Sequence, residues 1–167
     1  MMSRYYLDQQ RYNAKMPKFQ KYFRKVQEEK NIIKKVIYRL NFKLYKQKSH
    51  IELDVRTNIE GGIYFGHPYC ITINKNVIIG KNCNIHKGVT IGQENRGSRK
   101  GTPIIGDDVW IGINTTIVGK VKIGNDVLIA PNSFVNVDVP DHSIVIGNPC
   151  IIKHKIDATK DYINRRI

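Results

Sequence analysis

Five histidines, His50, His67, His86, His142 and His154, are the side chains of this 167-residue chain best suited to move a proton near neutral pH. Two of them stand at irregular points of an otherwise strict pattern. At His67 the spacing between apolar residues lengthens from six to eight. His86 follows nineteen residues later, beside Ile85, at a corner where other units carry glycine. An imidazole turned outward by a backbone irregularity can serve as a general base toward a hydroxyl nucleophile. Nineteen residues make about one coil of the repeat described below, which brings His86 near His67. It could contact an acceptor, polarise a carbonyl or act as the base itself. The three cysteines, Cys70, Cys83 and Cys150, are too few for a disulfide framework and odd in number. They read as reduced thiols of a cytoplasmic protein.

The element that must position these groups announces itself as an isoleucine-rich beat with a step of six. Ile73, Ile79, Ile85 and Ile91 keep it, Ile105, Ile111, Ile117, Ile123 and Ile129 resume it, and Val135 closes it. Neither a helix (3.6) nor a two-faced strand has that period. A β-solenoid does, each unit being a short strand plus a turn, with three units to a triangular coil. The apolar residue of each unit points into a shared core. Small residues, or residues that tolerate a positive φ, are expected at the corners that follow, such as Gly80, Gly92, Gly106, Gly112, Gly124 and Ala130.

The beat divides the chain into a basic N-terminal helical segment (1–50), the solenoid (51–150) and a mixed tail (151–167) expected to end in a short helix. Residues 1–16 are polar and without period. Phe19, Phe23, Val26, Ile33, Ile37, Leu40 and Leu44 then recur at helical spacing, interrupted by Lys30, which predicts one or two amphipathic helices packed on the first coil or on a neighbouring subunit. Residues 1–50 carry 14 Lys/Arg against 3 Asp/Glu, a net of +11, whereas the remainder has 14 against 11, a net of +3. The basic arm therefore suits an anionic membrane surface or an acidic glycan. The polar, glycine-containing stretch 93–103 interrupts the beat and reads as a loop projecting from the solenoid. No run approaches eighteen apolar residues and no secretory leader is visible, so the expected location is the cytoplasm, at most peripheral to the inner face of a membrane.

The residues Ile105-Gly106-Asp107-Asp108-Val109-Trp110-Ile111-Gly112, Ile117-Val118-Gly119, Ile123-Gly124-Asn125-Asp126-Val127 and the closing Gly147-Asn148-Pro149 resemble the left-handed β-helix hexapeptide-repeat acyltransferases. Ile63-Tyr64-Phe65-Gly66-His67-Pro68 and Val89-Thr90-Ile91-Gly92 are most similar to the serine acetyltransferase branch, which includes enzymes that O-acetylate bacterial surface polysaccharides. The resemblance covers about 52–155. It implies a mainly β fold, a left-handed parallel β-helix preceded by basic amphipathic helices. It also implies a homotrimer that transfers an acetyl group directly from acetyl-CoA to a hydroxyl, with no metal. It assigns the catalytic base to His67 and puts Glu52, fifteen residues earlier, where the family has an aspartate that orients the imidazole; Asp54 competes for that role. It runs the CoA arm along the groove between adjacent solenoids, over the backbone around Gly112, Thr116, Ala130 and Ser133, with Lys153 and Lys155 near the phosphates.

The chain departs from serine acetyltransferases at the acceptor. Gly66 stands where they carry a carboxylate, and the loop offers Arg96, Arg99 and Lys100 but no histidine. These differences favour a sugar or surface-polysaccharide intermediate as acceptor, with serine O-acetylation for cysteine synthesis as the alternative. The zinc carbonic anhydrases built on the same solenoid need three histidine ligands, two of them five residues apart, and this chain lacks that pair. A non-catalytic solenoid whose basic arm binds a polyanion is the remaining reading; nucleic acid is not the expected partner.

Overall fold

A computed structural model describes residues 2–13 and 15–167. Short parallel strands coil into a three-sided prism. The first face stacks β1 (Asn58–Ile59), β4 (Ile78–Ile79), β7 (Ile104–Ile105) and β10 (Lys122–Ile123). The second stacks β2 (Tyr64–Gly66), β5 (Asn84–His86), β8 (Trp110–Ile111), β11 (Val127–Ile129) and β13 (Ser143–Ile146), and β14 (Ile151–His154) closes it as an antiparallel edge. The third stacks β3 (Thr72–Ile73), β6 (Thr90–Gly92), β9 (Thr116–Val118) and β12 (Phe134–Val135).

The six-residue beat maps onto these faces without a slip. Ile59, Ile79, Ile105 and Ile123 from the first face, with Ile85, Ile111 and Ile129 from the second and Ile91, Ile117 and Val135 from the third, fill the interior at no more than 1% exposure. Branched side chains stack here in register with their like one coil away, a pleated packing that suits them.

The corner residues divide into two kinds where the sequence suggested one. Positive φ falls on Asn82, Asp108, Asp126 and His142 at the first corner, and on Cys70, Gly88, Asn114 and Asn132 at the second. Gly80 and Gly106 serve a different need, because the next coil passes directly over them. A Cβ on Gly80 would lie 2.5 Å from the Gly106 carbonyl oxygen.

Three helices precede the prism among the described residues: α1 (Arg4–Gln10), α2 (Lys18–Glu28) and α3 (Ile32–Lys48). The polar opening of the sequence hid α1, whose seven residues are too few to show a period. Ser3 caps it through the Tyr6 amide. Phe19, Phe23 and Val26 of α2, and Phe42 of α3, join the core of the first coil. Ile33, Ile37, Leu40 and Leu44, read from the sequence as part of one packed stripe, are exposed instead.

A buried ion pair locks α1 and α2 to the first coil. Arg24 Nε lies 2.7 Å from Asp8 Oδ2, both side chains fully buried. Asp8 also accepts from Gln20 and from the Gly62 and Ile63 amides, and Arg24 also donates to the Ile59 and Glu60 carbonyls. Burial pushes the Asp8 carboxyl up, and Arg24, Gln20 and the Ile63 amide pull it back.

The tail forms no helix. After β14 it returns along the first corner as a strap. The Asp126 carboxylate accepts from the Ala158 amide and from the Thr159 amide and hydroxyl, and Ile167 donates to Asn82. Arg166 lies 3.2 Å from Asp108 as an ion pair. Arg11 then joins the two ends of the chain, donating to the Asn164 carbonyl, to Gly62 and to Asn84.

Removing either half of the Asp8–Arg24 pair leaves a buried, unpaired charge. Asp8→Ala is expected to cost about 3–5 kcal/mol in denaturant unfolding, and Asp8→Leu with Arg24→Met markedly less than the two single losses combined. A double variant as unstable as that sum would show that the pair is not the linkage.

Candidate active site

His67 opens the turn from the second to the third face. The chain carries two more residues here than at the equivalent turns below, and His67 itself takes a φ of 50°. The bulge is fixed from both sides. The Cys70 amide donates to the Ser49 carbonyl above, and the Lys87 and Gly88 amides donate to Gly66 and Tyr69 from below. His50 packs edge-on against Tyr69, their ring centroids 5.1 Å apart. The imidazole of His67 is thus carried on a well-anchored backbone and is exposed, with no hydrogen-bond partner among the described residues.

Glu52 begins the third face one coil above. Its backbone bridges Thr72, its amide donates to the Ile71 carbonyl, and its side chain is exposed. This brings Glu52 to the strand that the His67 turn leads into. No hydrogen bond joins its carboxylate to the imidazole. Asp54, the competitor, is committed elsewhere. Arg56 grips both its oxygens at 2.9 Å and holds its carboxyl down to about 2.

His86 ends β5 directly below Gly66. Its Nδ1 lies 2.9 Å from the Ile111 carbonyl, which can only accept. That contact places the proton on Nδ1 and leaves the lone pair on Nε2. The ring packs on Trp110 at 4.6 Å, and Trp110 packs in turn on Tyr162 at 5.1 Å. Burial pulls the His86 pKa below its ordinary 6.5; the hydrogen bond to Ile111 opposes that shift and the neighbouring His67 adds to it, which favours the neutral ring. The absence of a side chain at position 66 is what admits it. A Cβ on Gly66 would lie 2.5 Å from His86 Cδ2 and 2.7 Å from Nε2. His86, Tyr64, Trp110 and Tyr162 line a cavity of about 330 Å³ on the second face, closed at one side by Arg11. Neither the strap nor the segment 11–13 after α1 carried a sequence signal placing it over this face, so the cavity could not be read from the sequence.

The backbone expected to hold a pantetheine arm is largely committed inside the solenoid. The Gly112, Thr116 and Ala130 amides donate to Ile129, Ser133 and Val145 one coil on. The Ala130 carbonyl accepts from the Thr115 and Ser133 hydroxyls. Ser133 is buried, its hydroxyl donating to the Ala130 carbonyl and accepting from the Gly147 amide, which pins the corner. Gly112 is buried, its Cβ position filled by Pro131 of the coil below. The half-buried Thr116 side chain and the exposed Lys153 and Lys155 remain open to a ligand.

The loop 93–103 leaves from the corner between the third and first faces. It is tied back by the Glu94–Gly101 bridge and by the Lys120 amide donating to Arg99. Arg96, Arg99 and Lys100 are exposed on it. His67 sits at the corner between the second and third faces. A whole side of the prism, roughly 15 Å at ~3.3 Å per residue, separates the two within one chain. Among the described residues no three His, Cys, Asp or Glu side chains gather as a metal site. Among the described residues no helix is long and apolar enough to cross a membrane.

A profile of the family described as bacterial transferase hexapeptide (six repeats) matches residues 102–136. The chain is 36% identical over 99 residues to serine acetyltransferase 4 of Arabidopsis thaliana, covering 59% of this chain and 28% of that protein. It is similar in structure to a Neisseria gonorrhoeae serine acetyltransferase solved in complex with serine (TM-score 0.64, 25% identity, 81% of this chain and 53% of that one). A serine acetyltransferase solved in complex with CoA shares the fold (TM-score 0.67, 24% identity, 81% and 55%). The chain spans between 28% and 57% of the length of the curated relatives it matches.

The held-neutral His86 carries a signed pH dependence. Its folded pKa lies below the unfolded value, so its unfavourable protonation costs nothing above about 6.5 and erodes stability as pH falls through that value. NMR titration should place the ring below 6.5, and His86→Gln should flatten the acid-side slope of the stability profile. Gly66→Ala should cost about 1–3 kcal/mol, relieved when His86 is also replaced by Ala.

Proposed function

This chain carries the left-handed hexapeptide-repeat β-helix of the serine acetyltransferase-like branch, and on that premise we propose that it transfers an acetyl group from acetyl-CoA to a hydroxyl of a small acceptor. The observation that carries the proposal is His67. It is an exposed imidazole on a turn two residues longer than those stacked below it, in a segment whose residues resemble the catalytic turn of serine acetyltransferases. His67 takes the proton from the acceptor hydroxyl as that oxygen attacks the thioester carbonyl. As the tetrahedral intermediate collapses and the C–S bond breaks, the imidazolium returns the proton to the departing thiolate. Glu52 steadies the cation from the neighbouring coil. The neutral His86, its Nε2 beside Gly66, accepts a hydrogen bond from the acceptor. Lys153 and Lys155 supply positive charge for the CoA phosphates, and Thr116 supplies a hydroxyl for the pantetheine arm.

Because His67 and the basic loop sit at different corners, a site using both draws them from two copies of the chain. That requirement supports a homotrimer with its sites in the grooves between solenoids. L-serine is the acceptor the comparisons favour, ahead of the sugar acceptor inferred from the sequence. A sugar hydroxyl stays as the second reading on one observation: Gly66 and the neutral His86 occupy the place where a carboxylate would meet an ammonium group.

Release of free CoA thiol from acetyl-CoA should depend on acceptor, and L-serine tested beside nucleotide sugars distinguishes the two readings. His67→Ala should lower kcat/KM by about 10² or more with the fold intact; near-normal turnover would remove His67 from the mechanism. Deleting residues 94–102 should raise the acceptor KM more than that for acetyl-CoA. Co-refolding the His67→Ala chain with the loop-deleted chain should restore part of the activity neither has alone.

A further inference from the structure

Helix α3 is apolar on two opposite sides. Tyr38, Phe42 and Tyr45 face inward onto α2 and the first coil. On the other side Ile33, Val36, Ile37, Leu40 and Leu44 form a continuous stripe, each between 48% and 72% exposed. At 100° per residue the two sets are centred roughly 150° apart, so no rotation of the helix could bury both against this chain. The borders of the outer stripe are cationic. Lys43 flanks one side and Lys34 and Lys48 the other. The seventeen residues of α3 include no acidic residue.

An apolar stripe between cationic borders selects its own partner. A second copy docked stripe to stripe would bring Lys34, Lys43 and Lys48 of both copies together with no carboxylate on either α3 to offset them. A soluble polyanion would satisfy the lysines and leave five large apolar side chains in water. A surface of anionic lipids satisfies both, with headgroup phosphates beside the lysines and acyl chains beneath the stripe. At ~1.5 Å per residue, α3 offers about 25 Å of contact lying flat. We propose that α3 is an interfacial helix that seats the protein on an anionic membrane surface, independently of its reaction.

The test is flotation of the full-length protein with vesicles of phosphatidylcholine alone or containing about a third phosphatidylglycerol. Binding should be at least tenfold tighter to the anionic vesicles and fall as salt rises toward 0.5 M. The variant Ile33→Asn/Ile37→Asn/Leu40→Asn changes only exposed side chains. It should lose on the order of tenfold or more in vesicle affinity while its circular dichroism and its mass by light scattering stay those of the parent. Failure to float with anionic vesicles overturns the proposal. So does undiminished binding of the triple variant, which would reduce the interaction to charge alone. A drop in assembly mass in the variant also overturns it, by making the stripe a contact between copies.

Discussion

Each coil donates its backbone amides to the coil beside it, and everything else in the molecule accommodates that ladder. The Asn84 amide meets the Val109 carbonyl, Thr90 meets Thr115 and Thr116 meets Ser133, so corresponding residues of successive coils lie directly over one another. A slip of one residue would turn every inward isoleucine outward. Surplus residues therefore cannot be absorbed within a face and are expelled at a corner. The two extra residues of the His67 turn and the longer insertion after β6 (Thr90–Gly92) both obey this rule. Their separate corners follow from where in the six-residue count each surplus falls. Local arithmetic in the chain thus fixes which groups one copy can bring together and which it must borrow.

The same ladder explains how much could be read beforehand. The beat named the inward residues, both expulsions and, through the longer one, the exposed basic loop, because each is a matter of spacing along a short stretch. The pairing of Gly66 with His86 lies twenty residues apart and has no periodic signature; it needed the register of β2 (Tyr64–Gly66) on β5 (Asn84–His86). The corner glycines looked like conformational hinges. Several instead make room for a neighbouring backbone, a distinction that exists only once the coils are stacked. The Ser133 hydroxyl spans Ala130 and Gly147, a contact that no local spacing announces.

The N-terminal segment was the least legible part, for a physical reason. Its attachment rests on Asp8, in the polar, periodless opening, and Arg24, in an amphipathic helix, each of which is expensive to bury alone. Together, with the Gln20 amide and the backbone of residues 59–63 completing their hydrogen bonds, they form a closed polar network against the end of the solenoid. Hydrophobic patterning does not anticipate such a device. It also leaves α3 (Ile32–Lys48) free to show apolar side chains outward, since the attachment does not depend on burying them.

The strap held by Asp126, Asp108 and Asn82 reaches the N-terminal arm at Arg11, a contact spanning 153 positions of sequence. Successive coils, by contrast, can zip onto one another across about eighteen residues at a time. Chain closure over the longer span carries the larger entropic cost, though it grows only logarithmically with length. The assembly order that follows is a prism formed coil by coil, with the return segment docking last and only where the arm is already in place. Tyr162 and Trp110 meet in that docking, so the wall of the cavity beside His86 is among the final pieces of the molecule to come together.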